Sequence, residues 1–441
     1  MELGILNGFV VAFISFSVVL YRNQSKKNLN FADWFVLSLG FFYGIGQCIV
    51  FWVISAKGLD DSNLLFALNW DNNAALSHLL AVAITIGAIY VGYEFVRVVF
   101  KKSEHEKDFK HFKMISISTN NLRLIACLFF IVGVVAHLLY SRAHGGVMGV
   151  LENAAHIRVE IVKVENTWSF LKRLSPFTIL ASFIYFGIVM DRKNIKVIWS
   201  DWFFLVASIL FSLFLLLSWA GRVGFVVYVL TFFLGHVIYK SSHRTESILP
   251  KITLFSLASC LIIPIIGKLT LRRELSFQIE YFGRDLIFPF VSWSNHIDAG
   301  SNFRWFKDIA LAPVYLFPEK LWGGWIGELS NAYNIRVILV SDYIGGIPND
   351  FLTFSYLQAG WFGIVLYPLM WGGILCMIEK YLIKFERKGL KAVLYANFLL
   401  YLPILSVPYA DPKHIVRRMF YLIVGVFVLN MFRRTYRSQP I

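Results

Sequence analysis

The sequence predicts an all-α integral membrane protein that crosses the bilayer many times. Three observations predict it. Of 441 residues, 57% are hydrophobic and only 16% are charged, where soluble chains carry about 25% charged residues. Aromatic residues reach 17%, with 42 phenylalanines, as lipid-facing helices and interfacial belts require. Apolar runs of roughly 17–25 residues recur along the chain, the length with which a helix crosses the hydrocarbon core. The whole chain, 1–441, reads as one membrane domain.

Eleven spans are expected. The first, 3–21, "LGILNGFVVAFISFSVVLY", has no basic residue ahead of it and is followed by Arg22, Lys26 and Lys27. It reads as a retained span with its N-terminus outside, because a cleaved signal carries its positive charge before the apolar run. Spans at 34–56 and 75–99 follow. The latter bears Glu94 and Arg97 one turn apart near its inner end, a spacing that predicts an ion pair. Next come 122–140 and 169–190, then 202–220 and 223–239, which only a hairpin tip separates in "SWAGRVGF". Runs at 252–267, 351–378, 391–408 and 418–432 complete the set. Counted with the span ends next to them, the connecting segments "RNQSKKNLN", "KKSEHEKDFKHFK", "DRKNIK", "KSSHRTES", "EKYLIKFERKGLK" and "RRTYRSQPI" hold 24 of the 42 lysines and arginines. By the positive-inside rule these face the cytoplasm, which leaves the C-terminus inside. For a bacterial inner membrane, the opposite side is the periplasm.

Two outside segments are too long to be plain connectors, 141–168 and 268–350. Neither is low-complexity, so short helices on the membrane surface are expected. Within the second, "FRWFKDIALAPVYLF" suits an interfacial helix with aromatics toward lipid and Arg304, Lys307 and Asp308 toward water. No internal repeat supports the inverted halves of many transporters.

The net charge of +15 does not indicate nucleic acid, because the basic residues flank apolar runs as topology signals. Phosphate-loop, zinc-protease, nucleophile-elbow and dinucleotide glycine motifs are absent from the sequence, as is a DxD carboxylate pair. The four cysteines all lie in apolar runs with no zinc spacing. No metal or cofactor is expected. A substrate used outside must arrive already activated, and an apolar bundle admits one from the lipid.

What recurs on the outer side is arginine. Arg222 sits at the hairpin tip, Arg272 and Arg273 follow the eighth span, Arg284 opens "GRDLIFPF", Arg417 and Arg418 begin the last span, and Arg158 and the pair Lys172–Arg173 flank the outer end of the fifth. A guanidinium stays charged and fits phosphate oxygens with a planar fork of donors. Several at one membrane face suit a lipid pyrophosphate. A single arginine at a helix end is otherwise a snorkelling anchor. On or near the outer side, His137, His144, His156, His296 and His414 and the carboxylates Glu274, Asp285 and Asp342 are the candidate general bases.

These features resemble the Wzy-type O-antigen polymerases. The likeness lies in "WAGRVGF" at a hairpin tip, "HGGV" opening the first outer segment, and "LKRLSPF" entering the fifth span. It continues in "YFGRDLIFPF", "GGIPNDFLTFSYLQAGWFGIVLYPLMWGG" and "HIVRRMFYLIVG". It covers most of the chain as a pattern of topology and spaced short motifs. The resemblance implies a metal-independent glycosyltransferase related in fold to C-type membrane glycosyltransferases and O-antigen ligases. Its substrates would be undecaprenyl-pyrophosphate-linked oligosaccharides at the periplasmic face, with a chain-length regulator and a flippase as partners. It also implies roles in pyrophosphate binding for Arg222, Arg284 and Arg417, with Arg272 or Arg273 beside them. An O-antigen ligase-type transferase and a lipid-linked oligosaccharide transporter are the alternative readings.

Overall fold

The computed structural model describes residues 2–24, 29–57, 68–105, 115–154, 157, 168–219, 222–241, 286–298, 302–318, 321–322, 325, 329–338 and 348–432, without the side chains of 102–105, 222 and 241. Among these residues the chain is helical, and its one extended pairing is a bridge between Ile115 and Phe385. Among the described residues, nine helices are long and apolar enough to cross a membrane: Glu2–Asn23, Phe31–Ser55, Asn72–Lys101, Thr119–Arg142, Ser169–Met190, Trp199–Ser218, Val223–Lys240, Phe351–Ile383 and Pro412–Met431. They coincide with nine of the expected spans. The expected span 252–267 lies outside the described residues. The one at 391–408 is instead a helix, Lys388–Leu399, running into a π-helical turn, Leu400–Ile404, that contains Pro403. A proline has no N–H for the regular ladder, so the backbone widens there. The last span starts earlier than its apolar run, at Pro412.

The chain forms two compact units, each assembled from distant segments. The first comprises Met1–Lys110, Phe277–Glu379 and Tyr401–Arg417; the second His111–Ser276, Lys380–Leu400 and Arg418–Ile441.

In the first unit, close helix approach rests on small residues, as membrane bundles require. A Cβ on Gly92 would lie 1.9 Å from the Leu369 carbonyl oxygen, and one on Gly372 would lie 2.2 Å from that of Ile89. Gly92→Leu is therefore expected to force the 72–105 and 351–383 helices apart. Thermal unfolding in detergent should show a lowered midpoint, whereas Gly87→Leu, whose Cβ would meet nothing within 4 Å, should leave it nearly unchanged. One end of this unit is tied by charge. Arg22 binds Glu94 at 2.8 Å, and the predicted Glu94–Arg97 pair is present at 3.2 Å. Tyr93 donates to Glu379 at 2.6 Å, and the Phe31 N–H donates to the same carboxylate at 3.0 Å.

The 351–383 helix is broken. Gly360 has φ 60° and ψ −140°, a conformation only glycine holds easily. The carbonyls released just before the break are taken by the 302–306 segment: the Arg304 N–H donates to Leu357 O at 2.8 Å and the Trp305 N–H to Gln358 O at 2.7 Å. Asp350 caps the first part, accepting from Leu352 N at 3.0 Å and from the Tyr43 hydroxyl at 2.6 Å.

In the second unit, the same glycine logic recurs. A Cβ on Gly389 would lie 2.1 Å from the Gly187 carbonyl oxygen. Polar side chains join helices: Arg123 grips Asp201 through two nitrogens at 2.8 Å, and Asn397 donates to Thr231 at 2.8 Å.

Candidate functional site

The first unit gathers a buried cluster of charge beside the break. Arg304 holds Asp308 through two nitrogens, Nη2 at 2.8 Å, and Gln358 Nε2 donates to the same carboxylate at 3.3 Å. Asp308, expected to face water, is in fact buried. The reason is local. Residues 302–306 are pinned on the broken helix, so the following turn, Lys307–Ala310, points its aspartate inward. A buried carboxylate persists only when paired and hydrogen-bonded, and Arg304 and Gln358 supply both.

Asp411 forms the second half. It precedes Pro412, which suits the first helical position. Its side chain accepts from Lys413 N at 2.8 Å and from Ser330 Oγ at 2.6 Å. The Tyr315 phenol lies among these groups, buried against Trp322. Burial first, then the Asp308 and Asp411 charges, pushes its pKa up, while Arg304 and Arg417 oppose them. Tyr315 stays a protonated donor at neutral pH. Arg417 thus sits in the second turn of the last span, with its charge acting on the Tyr315 phenol. Lys413 lies over the Trp322 ring, 5.5 Å from its centroid.

His296 is fully buried, with Nε2 2.9 Å from Asn334 Oδ1 and its ring stacked on Tyr333 at 5.9 Å. Asn334 in turn donates to Ser292 at 3.1 Å. Burial lowers the imidazole pKa to about 4, against a smaller opposing effect of Asn334. The ring is neutral at pH 7. Its folded pKa lies below the ordinary value of about 6.5, so its contribution to stability is complete above pH 6.5 and lost as pH falls from 6.5 toward 4. His296→Gln is expected to flatten part of the acid-side decline of the unfolding midpoint; an unchanged pH profile would contradict it.

In the second unit, three of the noted motifs meet. Lys172 of "LKRLSPF" lies 5.9 Å from the ring of Trp219 in "SWAGRVGF" and 5.7 Å from that of Tyr140. His144 of "HGGV" lies 5.0 Å from Tyr140. Burial, then the Lys172 charge, lowers the His144 pKa. Arg222 opens the helix Arg222–Ser241, three residues after Trp219.

Of the expected site residues, Arg417, His137, His144, His296 and His414 are placed with their side chains, and Arg222 by its backbone. His156, Arg158, Arg272, Arg273, Glu274, Arg284, Asp285 and Asp342 lie outside the described residues. Asp308, Tyr315, Ser330, Asn334 and Asp411 were not singled out as site residues from sequence. The Asp-Pro pair in "YADPKH" was the available signal for Asp411, since it marks a helix start. Ser330 is 81 residues from Asp411, and no local pattern joins them. No family model, no curated protein and no solved structure matches the chain.

Proposed function

We propose that this protein is an O-antigen polymerase of the bacterial inner membrane, a glycosyltransferase that joins undecaprenyl-pyrophosphate-linked oligosaccharide repeats at the periplasmic face. The observation that carries the reading is the setting of Arg417. A guanidinium in a membrane span here lies close enough to the buried Tyr315 phenol to act on it electrostatically, where a snorkelling anchor would reach for headgroups. The outer-face arginines of the sequence, Arg222, Arg284 and Arg417 with Arg272 or Arg273 and Arg158, supply the donors that a diphosphate requires.

The reaction joins two substrates. A hydroxyl of the acceptor repeat attacks the anomeric carbon of the donor glycan, and the bond from that carbon to the pyrophosphate oxygen breaks. The hydroxyl proton passes to a base, and undecaprenyl pyrophosphate leaves. Negative charge grows on the leaving group, so preorganised guanidinium groups stabilise the transition state more than the ground state. Asp285, Glu274 and His296 are the candidates for the base. His296 carries a neutral imidazole, which a base needs, although Nε2 is engaged by Asn334.

Deleting the protein from its host tests the reading. Surface glycan should then be capped with single repeats and carry no long chains. Loss of all capped product would mark a ligase. Accumulation of unflipped lipid-linked repeat in the cytoplasmic leaflet would mark a transporter.

A further inference from the structure

The sequence reads 303–317 as one surface helix, yet 302–306 is a non-helical strap on the broken span. Trp305 and Phe306 hold φ of 48° and 60°, a region that bulky residues avoid at an energetic cost. The neighbouring backbone bonds to Leu357 and Gln358 keep them there. The outcome is a tryptophan that is 71% exposed.

It is not isolated. The Phe303 ring lies 6.0 Å from Trp305 and 6.0 Å from Tyr356. It also fills the space that glycine leaves at the break, where a Cβ on Gly360 would meet it at 2.8 Å. Tyr356 touches Trp361 at 6.2 Å, and Trp361 is followed by Phe362, 62% exposed. Trp305, Phe303, Tyr356 and Trp361 thus form one run of ring contacts joining strap and span.

The helix dimensions say what covers these rings. The 361–378 portion alone has 18 residues, about 27 Å at 1.5 Å per residue, within the range of roughly 17–25 residues that crosses the hydrocarbon core. Residues 351–358 are not needed for the crossing. Trp361 and Phe362 then occupy the first turn of the crossing portion, at the depth where aromatic side chains concentrate in membrane proteins. Outward rings at that depth meet lipid, and Trp305 and Phe303 are contiguous with them.

We propose that the 302–306 strap is a membrane-interface anchor. Trp305 and Phe303 insert among the phospholipids of the leaflet next to Trp361, and this seats the Arg304–Asp308 pair at headgroup depth. The inference does not depend on the activity proposed above.

Two measurements test it. In a variant with Cys48, Cys127, Cys260 and Cys376 replaced by serine, Trp305→Cys and Phe362→Cys are each spin-labelled and reconstituted in phosphatidylethanolamine–phosphatidylglycerol vesicles. Power saturation compares collisions with oxygen and with a water-soluble nickel chelate. The oxygen-to-nickel ratio at 305 is expected to lie within about twofold of that at 362. A ratio equal to that of a nitroxide free in water overturns the anchor. So does a water-like ratio that changes only on adding lipid-linked oligosaccharide, which would make Trp305 a sugar-stacking platform. In a chain otherwise native, benzoylphenylalanine at 305 is expected to photo-crosslink to phospholipid. Absence of lipid adducts, with adducts forming at 362, overturns it independently of labelling.

Discussion

Arg222→Ala, Arg284→Ala and Arg417→Ala are each expected to abolish long-chain glycan while the protein stays in the membrane at normal levels and single-repeat product persists. Removal of one preorganised donor at a developing oxyanion costs ~10²–10³ in rate. A polymer of many repeats amplifies that loss, because every added unit suffers it. Arg417→Lys should recover only part of the chain length, since an ammonium keeps the charge and loses the planar fork. The readout is the ladder of glycan lengths on a gel, with protein quantified beside it. Normal ladders in all three alanine variants would contradict the role given to these arginines.

Asp308→Ala carries the largest stability effect. It removes the carboxylate that Arg304, whose side chain is 10% exposed, holds with two nitrogens, and removes the acceptor of Gln358. Breaking a buried ion pair by deleting one partner costs roughly 3–5 kcal/mol. The pair Arg304→Met with Asp308→Leu removes both charges and is expected to recover most of that loss. The comparison separates a structural clamp from a substrate-binding group. Recovery of stability and of chain length together would assign the pair to the fold. Recovery of stability without chain length would place Arg304 among the substrate contacts. Unfolding midpoints in detergent, with glycan ladders alongside, give both readouts.

The spans were legible because length and apolar content suffice to identify a membrane helix, and nine of the expected eleven occur as spanning helices among the described residues. The start of the last span was not, because Lys413, His414, Arg417 and Arg418 dilute the apolar run. The structural start follows from Asp411 and Pro412, a capping signal that hydropathy does not weigh. The break at Gly360 was equally hidden. "LQAGWFGIVL" reads as continuous apolar helix, and nothing local reveals that Arg304 and Trp305, more than fifty residues earlier, satisfy the exposed carbonyls. The 304/308 spacing was visible as one helical turn, but the inward rotation of Asp308 depends on that distant docking. Glu94 with Arg97 was readable since both partners lie on one helix. Arg22, the third member, joins from another helix and left no local trace.

The central claim is transfer of glycan between lipid carriers, and reconstitution with defined substrate tests it most directly. The purified protein in vesicles, supplied with one undecaprenyl-pyrophosphate-linked repeat and no nucleotide sugar, is expected to build a ladder of lengthened glycan. Each repeat added should release one undecaprenyl pyrophosphate. Movement of intact lipid-linked repeat between leaflets, with no lengthening and no free carrier, would contradict the account.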